Sequence, residues 1–515
     1  MNPEKGCSLE KRVQRYNNLS ESANRTDKII VNIRQFMTFA NYTRRKTSTT
    51  RVGSVRIGSE YPIRIQTMAN TSTNDIDGSV SQALRCREAG AELLRFTTQG
   101  LREVESLKQI HDTLLPQVGD TLPLVADVHF QAGVANEAAK VVEKVRVNPG
   151  NYIDPARKFK HIDYTDEEYA AELQRLRERF AAFLAICKEH KTAVRLGVNH
   201  GSLSDRIMSR YGDTPAGMVE SVMEFLRVAV DEQFADIVIS IKASNTRVMV
   251  DTMRLLVKQM DKEGMAFPLH LGVTEAGEGE DGRIKSAVGI GALLAEGIGD
   301  TIRVSLSEAP EAEIPVARAL RDYFADPQSV RYNGASAGVK NGVVYYSSEV
   351  NEWQLFQLQA AAECGRLLWD ADAKQLELSN PHFSADALER LGKDILQAAG
   401  VMRYKTEFVS CPGCGRTLFG LEETIAAIKS AFREAEKDYP FLRTLKIGIM
   451  GCIVNGPGEM ADADYGYVGA ARGKVSLYKN KTCIRMNIPQ EEAVQTLIDY
   501  IVEEQKPTAE NSKKG

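Results

Sequence analysis

Three cysteines in glycine-rich loops are the residues of this sequence most suited to chemistry. Cys411 and Cys414 stand in the segment CPGCGR (411–416), and Cys452 follows in GCIVNGPGE (451–459). A Cys-x-x-Cys turn brings both sulfurs to one side, and soft thiolates select zinc, copper(I) or an iron–sulfur cluster. The pattern therefore predicts a metal centre in this region.

The fourth ligand of this centre has two candidates. Cys483 would complete a four-thiolate site, which is typical of structural zinc or of a closed cluster. It lies in KTCIRM (481–486), however, a segment that favours a strand and a buried packing role. Glu459 follows Cys452 across an Asn-Gly-Pro-Gly turn that could return its carboxylate to the metal as a weak, exchangeable ligand. The spacing leaves both candidates open.

Composition narrows the class of protein. The chain has 515 residues, 43% of them apolar and 26% charged, as in ordinary globular proteins. Its net charge of −4 argues against general nucleic-acid binding, which usually requires a strongly basic domain. No apolar run has the length of a membrane span, and no apolar export segment precedes the globular part. These features predict a cytoplasmic protein whose clustered cysteines stay reduced and bind metal.

Short β-rich runs alternate with segments of helical spacing over about 250 residues, the usual size of a barrel of eight βα units. The eight runs cover residues 63–68, 92–98, 122–130, 144–150, 193–199, 236–242, 268–275 and 301–307. This alternation predicts an α/β fold, a (β/α)8 TIM-type barrel, over residues 45–325. A doubly wound open sheet is the alternative, but it would normally carry a glycine-rich phosphate loop after an early strand.

Polar side chains gather at the C-terminal ends of these runs, where barrel enzymes build their active sites. Five of them are cations, namely Arg95, Arg146, Arg195, Lys242 and Arg303. The others are Gln66, Asp127, His129, Asn148, Asn199, Ser240, Glu275 and Ser305. Because an unpaired buried charge is costly, these cations predict an anionic ligand, best a phosphate or a diphosphate. The alternative is that each cation pairs with a barrel carboxylate, such as Asp127, Asp236 or Glu275.

The rest of the chain divides into four stretches. Residues 1–44 and 506–515 are polar and unpatterned, and we expect them to be disordered tails, with Met37 as an alternative start of the chain. Residues 326–403 break the alternation and predict an insert or linker domain with two helices. Residues 404–505 predict a small α+β domain that carries the cysteines.

Several ordered motifs resemble the 4-hydroxy-3-methylbut-2-enyl diphosphate synthase family of the methylerythritol phosphate route to isoprenoids. The cysteine loops match as CPGCGRT (411–417) and MGCIVNGPGE (450–459). The strand ends match as RFTTQG, ADVHF, RVNPGN, RLGVNHGSL, ISIKASN, LGVTEAG and TIRVSLS. The resemblance covers about residues 45–325 and 404–505. It implies a barrel joined to a small domain that is similar to the cluster domain of sulfite reductases.

The resemblance also implies an iron–sulfur oxidoreductase with a [4Fe–4S] cluster held by Cys411, Cys414, Cys452 and Glu459. The implied reaction opens the ring of 2-C-methyl-D-erythritol 2,4-cyclodiphosphate by reduction and dehydrates it to (E)-4-hydroxy-3-methylbut-2-enyl diphosphate. Glu275 and Glu459 are the implied catalytic residues. The residues implied to bind substrate are Arg95, Asp127, His129, Arg146, Asn148, Arg195, Asn199, Lys242, Arg303 and Ser305.

A flavodoxin or a ferredoxin is the implied electron donor, since the sequence has no flavin or dinucleotide fingerprint. The insert at 326–403 departs from the two-domain bacterial form and resembles a long form with a reduced insert. In the short form the barrel of one subunit meets the cluster of its dimer partner. The insert leaves open whether this chain forms such a homodimer or closes on itself.

Two other functional classes are compatible with the same residues. One is a pterin-type transferase barrel, such as the dihydropteroate synthase group, with an appended structural zinc module. The other is a metal-binding scaffold without enzymatic activity. Iron and sulfide content after anaerobic purification separates them, because an iron–sulfur enzyme would carry about four irons and the alternatives a single zinc.

Overall fold

The computed structural model describes residues 43–128, 131–153, 163–325, 335–453, 456–460 and 462–505. Apart from residues 43 and 44, the tails predicted at 1–44 and 506–515 lie outside these ranges, and so does His129. None of the helices in the described ranges is long and apolar enough to cross a bilayer.

Eight parallel strands form a barrel, so the predicted fold class is confirmed and the doubly wound alternative is wrong. A short antiparallel hairpin, β1 (Thr50–Val52) and β2 (Val55–Ile57), precedes them. The barrel strands are β3 (Arg64–Met68), β4 (Leu93–Thr97), β5 (Leu124–Asp127), β6 (Lys144–Val147), β7 (Ala193–Asn199), β8 (Ile237–Lys242), β9 (His270–Leu271) and β10 (Thr301–Ile302).

Hydrogen bonding runs around the whole ring of strands. Each strand from β3 to β7 pairs in parallel with the next strand along the chain, and β10 joins β3 to β9. A parallel bridge between Ile239 and Leu269 closes the ring between β8 and β9. Val52 and Ile57 of the hairpin pack on residues at the starts of the strands, such as Leu93 and Ala193, and so close the N-terminal end. The C-terminal end remains as the mouth.

Helices surround this barrel on the outside. They are α1 (Ile76–Ala89), α2 (Leu101–Val118), α3 (Ala132–Ala138), α4 (Asp166–His190), α5 (Asp205–Tyr211), α6 (Pro215–Asp231), α7 (Thr246–Lys262), α8 (Gly279–Ala295) and α9 (Pro310–Ala325). Local chemistry fixes their ends. At α1, for example, the Asp75 side chain accepts a hydrogen bond from the Gly78 N–H, and Gly90 ends the helix at a φ of 108°.

The segment predicted as an insert contains a small sheet as well as the two predicted helices. Its elements are β11 (Ser336–Lys340), β12 (Val343–Ser347), α10 (Trp353–Asp370), β13 (Gln375–Ser379) and α11 (Ala385–Ala398). Phe356 and Ile395 belong to the same continuous apolar core as the barrel. Helix α10 can lie close against α8 because Gly291 has no side chain, and a side chain there would collide with Ala362. The insert is therefore packed onto the barrel wall.

The last part of the chain is the predicted α+β domain, hereafter the C-terminal domain. Its elements are β14 (Glu407–Ser410), α12 (Leu421–Asp438), a 3-10 turn (Pro440–Thr444), β15 (Lys446–Met450), α13 (Gly456–Glu459), β16 (Tyr465–Ala471), β17 (Lys474–Lys479), β18 (Thr482–Pro489) and α14 (Gln490–Gln505). The five strands form one sheet in chain order, with a core of its own that includes Phe432 and Leu497. The loops after β14 and β15 carry the cysteines.

Candidate active site

A cleft lies where the C-terminal domain covers the barrel mouth of the same chain. From the barrel it is lined by Met68, Arg95, Asp127, Arg146, Arg195, Asn199, Lys242, Thr274, Glu275, Arg303 and Ser305. From the C-terminal domain it is lined by Cys411, Pro412, Gly413, Cys414, Arg416, Thr417, Met450, Gly451, Cys452, Gly456 and Glu459. The barrel cations and the cysteines thus share one cavity.

Of the residues that the family resemblance assigns to the site, all but two line this cleft. One of the two, His129, is outside the described residues. The other, Asn148, is fully buried and does not line the cleft. Strand β6 ends at Val147, so the alternation of side chains along the strand no longer determines the direction of residue 148. The amide of Asn148 donates to the Ser202 hydroxyl at 3.0 Å and accepts from the Gly150 N–H at 3.1 Å. It therefore shapes the loop after β6.

Three of the five barrel cations have carboxylate partners, and one of them, Arg95, has only a long contact of 3.9 Å from its Nε to Asp127 Oδ2. Arg146 Nη1 lies 3.1 Å from Asp127 Oδ1, and both ends of the Arg303 guanidinium donate to Glu313, at 2.9 and 3.0 Å. Glu313, on α9, was not predicted from the sequence. Asp236 was considered as a partner, but it lies away from the mouth and pairs with Arg51 at 3.2 Å.

Two other cations keep donors that face the cleft. Arg195 donates through Nε and Nη2 to the Ser240 hydroxyl at 3.0 and 2.8 Å. Its buried Nη1 has no hydrogen-bond partner among the described residues, and Lys242 lines the same cleft. Burial, followed by repulsion from neighbouring arginines, lowers the pKa of Arg195 and of Lys242 well below their ordinary values. An anion in the cleft would relieve both effects.

Two carboxyl groups from different domains meet in the cleft. Glu459 accepts a hydrogen bond from Asn199 Nδ2 at 2.7 Å, and this bond joins α13 to the end of β7. Glu275 is buried, and burial and the nearby Glu459 raise its pKa well above the ordinary value. Its backbone has a φ of 49°, in the left-handed region that residues other than glycine seldom adopt. Such strain is often found at functional sites.

The cysteine loops are held by backbone hydrogen bonds. The Gly451 N–H donates to Cys411 Sγ at 3.2 Å, and the Cys414 N–H donates to the Thr417 hydroxyl at 3.1 Å. Gly413, at a φ of 74°, makes the turn between the first two cysteines in a conformation that a side chain would strain. Burial raises the pKa of the Cys411 thiol, and the N–H groups of Gly451 and Gly413 oppose that rise.

Cys483 lies in β18, as predicted, and does not line the cleft. It is only half-buried, so the predicted burial is met in part, and its sulfur lies 3.4 Å from the Arg485 carbonyl oxygen. The sequence-based prediction did not single out Arg416, Thr274 or Met68 as lining residues. Arg416 stands two positions after Cys414, so its place in the motif was a usable signal.

The two domains meet through short polar contacts around the cleft. The hydroxyls of Ser307 and Ser410 lie 2.8 Å apart, and the Ser307 hydroxyl also donates to the Cys411 carbonyl at 2.9 Å. Lys285 on α8 pairs with Glu407 on β14 at 3.0 Å. These contacts fix the cysteine loops against the barrel mouth of the same chain.

Comparison with known proteins finds matches to both the barrel and the C-terminal domain. The family description "GcpE TIM-barrel domain" matches residues 47–318, and "GcpE protein C-terminal domain" matches residues 407–503. A Bacteroides fragilis protein named 4-hydroxy-3-methylbut-2-en-1-yl diphosphate synthase (flavodoxin) is 46% identical over 90% of this chain and 96% of its own length. That alignment runs over 612 positions, more than the 515 residues here, so the relative carries segments that this chain lacks.

Two further comparisons complete this picture. A Synechococcus protein named 4-hydroxy-3-methylbut-2-en-1-yl diphosphate synthase (ferredoxin) is 43% identical over 89% of this chain and 94% of its own. A solved dihydropteroate synthase from Xanthomonas albilineans is 14% identical over 54% of this chain and 98% of its own, and its TM-score of 0.34 is too low to show a shared fold. The matched domains and the identity to curated relatives show that the chain belongs to the GcpE family, the 4-hydroxy-3-methylbut-2-en-1-yl diphosphate synthases.

Proposed function

We propose that this chain catalyses the two-electron reductive ring opening and dehydration of 2-C-methyl-D-erythritol 2,4-cyclodiphosphate to (E)-4-hydroxy-3-methylbut-2-enyl diphosphate. One observation carries the proposal: barrel cations suited to a diphosphate and three cysteines of the same chain line a single cleft. The names of the relatives support the same reaction.

A [4Fe–4S] cluster fits the donor set of the C-terminal domain. Cys411, Cys414 and Cys452 would be three of its ligands and Glu459 the fourth. The bond from the Gly451 N–H to Cys411 Sγ is of the kind that tunes cluster sulfurs. No three described His, Cys, Asp or Glu side chains lie within reach of one ion, and a four-iron cluster holds its ligands further apart than one ion does. When bound, the cluster would supply the electrons for the reduction.

The barrel cations would bind the diphosphate of the substrate. Arg195 Nη1 is a donor without a partner among the described residues, and Arg195 and Lys242 both line the cleft. Arg146 and Arg303 are already oriented by Asp127 and Glu313. A charged hydrogen bond to phosphate is about twice as strong as a neutral one, so these groups would hold the substrate in one orientation.

Glu275 is the proposed proton donor. The Thr274 hydroxyl donates to its Oε1 at 2.6 Å, and its buried Oε2 has no hydrogen-bond partner among the described residues. Burial and the neighbouring Glu459 raise the pKa of Glu275 well above its ordinary value, which favours the protonated carboxyl. The departure of a substrate hydroxyl as water takes up one proton, which Glu275 could deliver from Oε2.

The electrons would come from a separate carrier protein, and the relatives' names favour a flavodoxin, with a ferredoxin as the alternative. The cluster and the anion site would be completed within one chain, so a homodimer is not needed to assemble them. We place this activity in the cytoplasm, where thiols stay reduced.

The experiment that tests the function is anaerobic purification followed by iron and sulfide analysis and an assay with the cyclic diphosphate. We expect about four irons per chain and formation of the linear diphosphate with an artificial reductant. Reduced flavodoxin should then replace that reductant. A colourless protein with one zinc and no turnover would contradict the proposal. The variant Cys364→Ser, at a buried position in the insert, serves as the control for the handling of thiols.

A further inference from the structure

Arg416 is, among the described residues that line the cleft, the only cation that comes from the C-terminal domain. Its side chain is 9% exposed. The loop that carries it is pressed onto the barrel, since a side chain at Gly415 would lie 3.0 Å from the Thr71 carbonyl oxygen of the loop after β3. The position of this guanidinium is therefore fixed by both domains.

Arg416 reaches a carboxylate that already serves the barrel arginines. Its Nη2 lies 3.9 Å from Asp127 Oδ2. Arg95 Nε lies 3.9 Å from the same oxygen, and Arg146 Nη1 lies 3.1 Å from Asp127 Oδ1. Three guanidinium groups thus lie within 3.9 Å of one carboxylate.

The charges in this group repel one another. Burial lowers the pKa of Arg95 to about 10, and its arginine neighbours, Arg416 among them, add to the lowering. A guanidinium is not deprotonated in proteins, so Arg416 adds its full positive charge to the site.

We propose that Arg416 is a substrate-binding residue, which the C-terminal domain adds to the anion site so that Arg95, Arg146 and Arg416 together hold one phosphate group. This inference rests on the proposed function, because it assigns a further residue to the same diphosphate site. The planar fork of arginine suits it, since two parallel N–H groups can bond two phosphate oxygens. The substrate would then contact both domains at once.

Arg416 has one competing role, as a counter-charge for the cysteines alone. Its proximity to Cys414 in the sequence favours that role, and its distance from Asp127 favours the anion site. The two roles differ in the protein without cluster. A counter-charge for thiolates acts on a bound anion only through its charge, whereas a phosphate ligand also acts through its fork of N–H groups, so Arg416→Lys separates the two roles.

The test is calorimetric titration of inorganic pyrophosphate into the full-length protein without cluster. We expect Arg416→Gln to weaken pyrophosphate binding by about 10- to 100-fold, the range for losing a hydrogen bond to a charged group. Lys429→Gln is the matched control. It removes one positive charge from the same domain and breaks a 3.1 Å pair with Glu278 on the barrel, but it does not line the cleft. We expect less than about a threefold change there, because Lys429 does not line the cleft and pairs with Glu278 instead.

Arg146→Gln separates failure of this inference from failure of the proposed function. If Arg146→Gln weakens pyrophosphate binding and Arg416→Gln does not, the anion site stands and the role of Arg416 is refuted. If neither variant weakens it, the diphosphate site of the proposed function fails as well. Should Arg416→Gln not fold by circular dichroism, Arg416→Lys decides. It keeps the charge but loses the fork, so binding several-fold weaker supports the inference and unchanged affinity overturns it.

Discussion

The two domains approach each other closely at a pair of glycines, and this approach can be blocked without touching the cleft. Gly201 follows β7 and has a φ of 78°. A methyl group on Gly201 would lie 2.7 Å from the Gly458 carbonyl carbon and nearer still to its oxygen. Gly458 belongs to α13, the short helix that ends at Glu459. The substitution Gly201→Ala therefore pushes the Glu459 segment away from the barrel.

The size of this displacement follows from ordinary contact distances. Carbon atoms attract best at about 3.5–4.0 Å, so the two segments must separate by about 1 Å. A misplacement of about 1 Å at a reacting centre can cost about 100-fold in rate. The left-handed backbone adds a separate cost of about 1–2 kcal/mol in stability for alanine. Gly264 has a similar φ of 73° and no atom within 4 Å of its missing side chain, so Gly264→Ala carries only that second cost.

The assay compares both variants for turnover of the cyclic diphosphate, iron content and unfolding by urea. We expect both to lose similar stability and to keep their iron, because the cysteine loops are unchanged. Only Gly201→Ala should lose about 100-fold in kcat. Wild-type turnover in Gly201→Ala would refute the reasoning, since it would show that the reaction does not need this docked arrangement. Equal losses in the two variants would point to the strained backbone and would refute it too.

The remaining predictions concern the metal ligands and the contact between the domains. Replacing Cys411, Cys414 or Cys452 with serine should remove most of the iron, whereas Cys483→Ser should keep it, and loss of iron in Cys483→Ser would contradict the ligand assignment. Glu459→Cys should keep iron but abolish turnover, because the exchangeable ligand is gone; full activity would contradict this role. Burial alone would raise the pKa of Glu407, but Lys285 and Lys446 lower it below the ordinary value. The stabilisation that Glu407 provides is therefore fully present above the unfolded-state pKa of about 4.3. It is lost as the pH falls through the lower pKa of the folded state. Glu407→Gln should reduce the free energy of unfolding at neutral pH by about 1.5–3 kcal/mol and flatten its dependence on acid pH, as measured by urea unfolding, and an unchanged acid profile would count against it.

The sequence predicted the barrel because its signal is local and repeated. Each β-rich run ends in polar residues, and parallel strands bring such ends to one rim, so the positions of Arg95 and Lys242 along the chain were enough to assign both to a common mouth. The same argument does not extend to Asn148, which does not line the cleft. Side chains alternate only while the strand lasts, and β6 stops one residue earlier.

The insert contains a strand that local sequence patterns did not predict. Strand β11 begins in a stretch rich in Gly, Ser and Ala and is largely exposed, so it lacks the apolar alternation that predicts a strand. Strand β11 forms because its backbone hydrogen-bonds to β12, and the pattern of its side chains does not indicate this pairing. Glu313 is a similar case, since nothing near it in the sequence indicates that it would meet Arg303.

Helix α8 gives a physical reason why the C-terminal domain closes on its own barrel. Near its start, Asp281 pairs with Lys405 at 2.6 Å and Lys285 pairs with Glu407 at 3.0 Å, both at the entry to the C-terminal domain. Farther along, Gly291 packs against Ala362 of the insert. One barrel helix thus holds the insert and the first strand of the C-terminal domain together. The insert shares the core of the barrel, so the point at which the chain passes from the insert to β14 is fixed. The loop after β14 then lies over the barrel mouth, and its cysteines line the same cleft as the barrel cations.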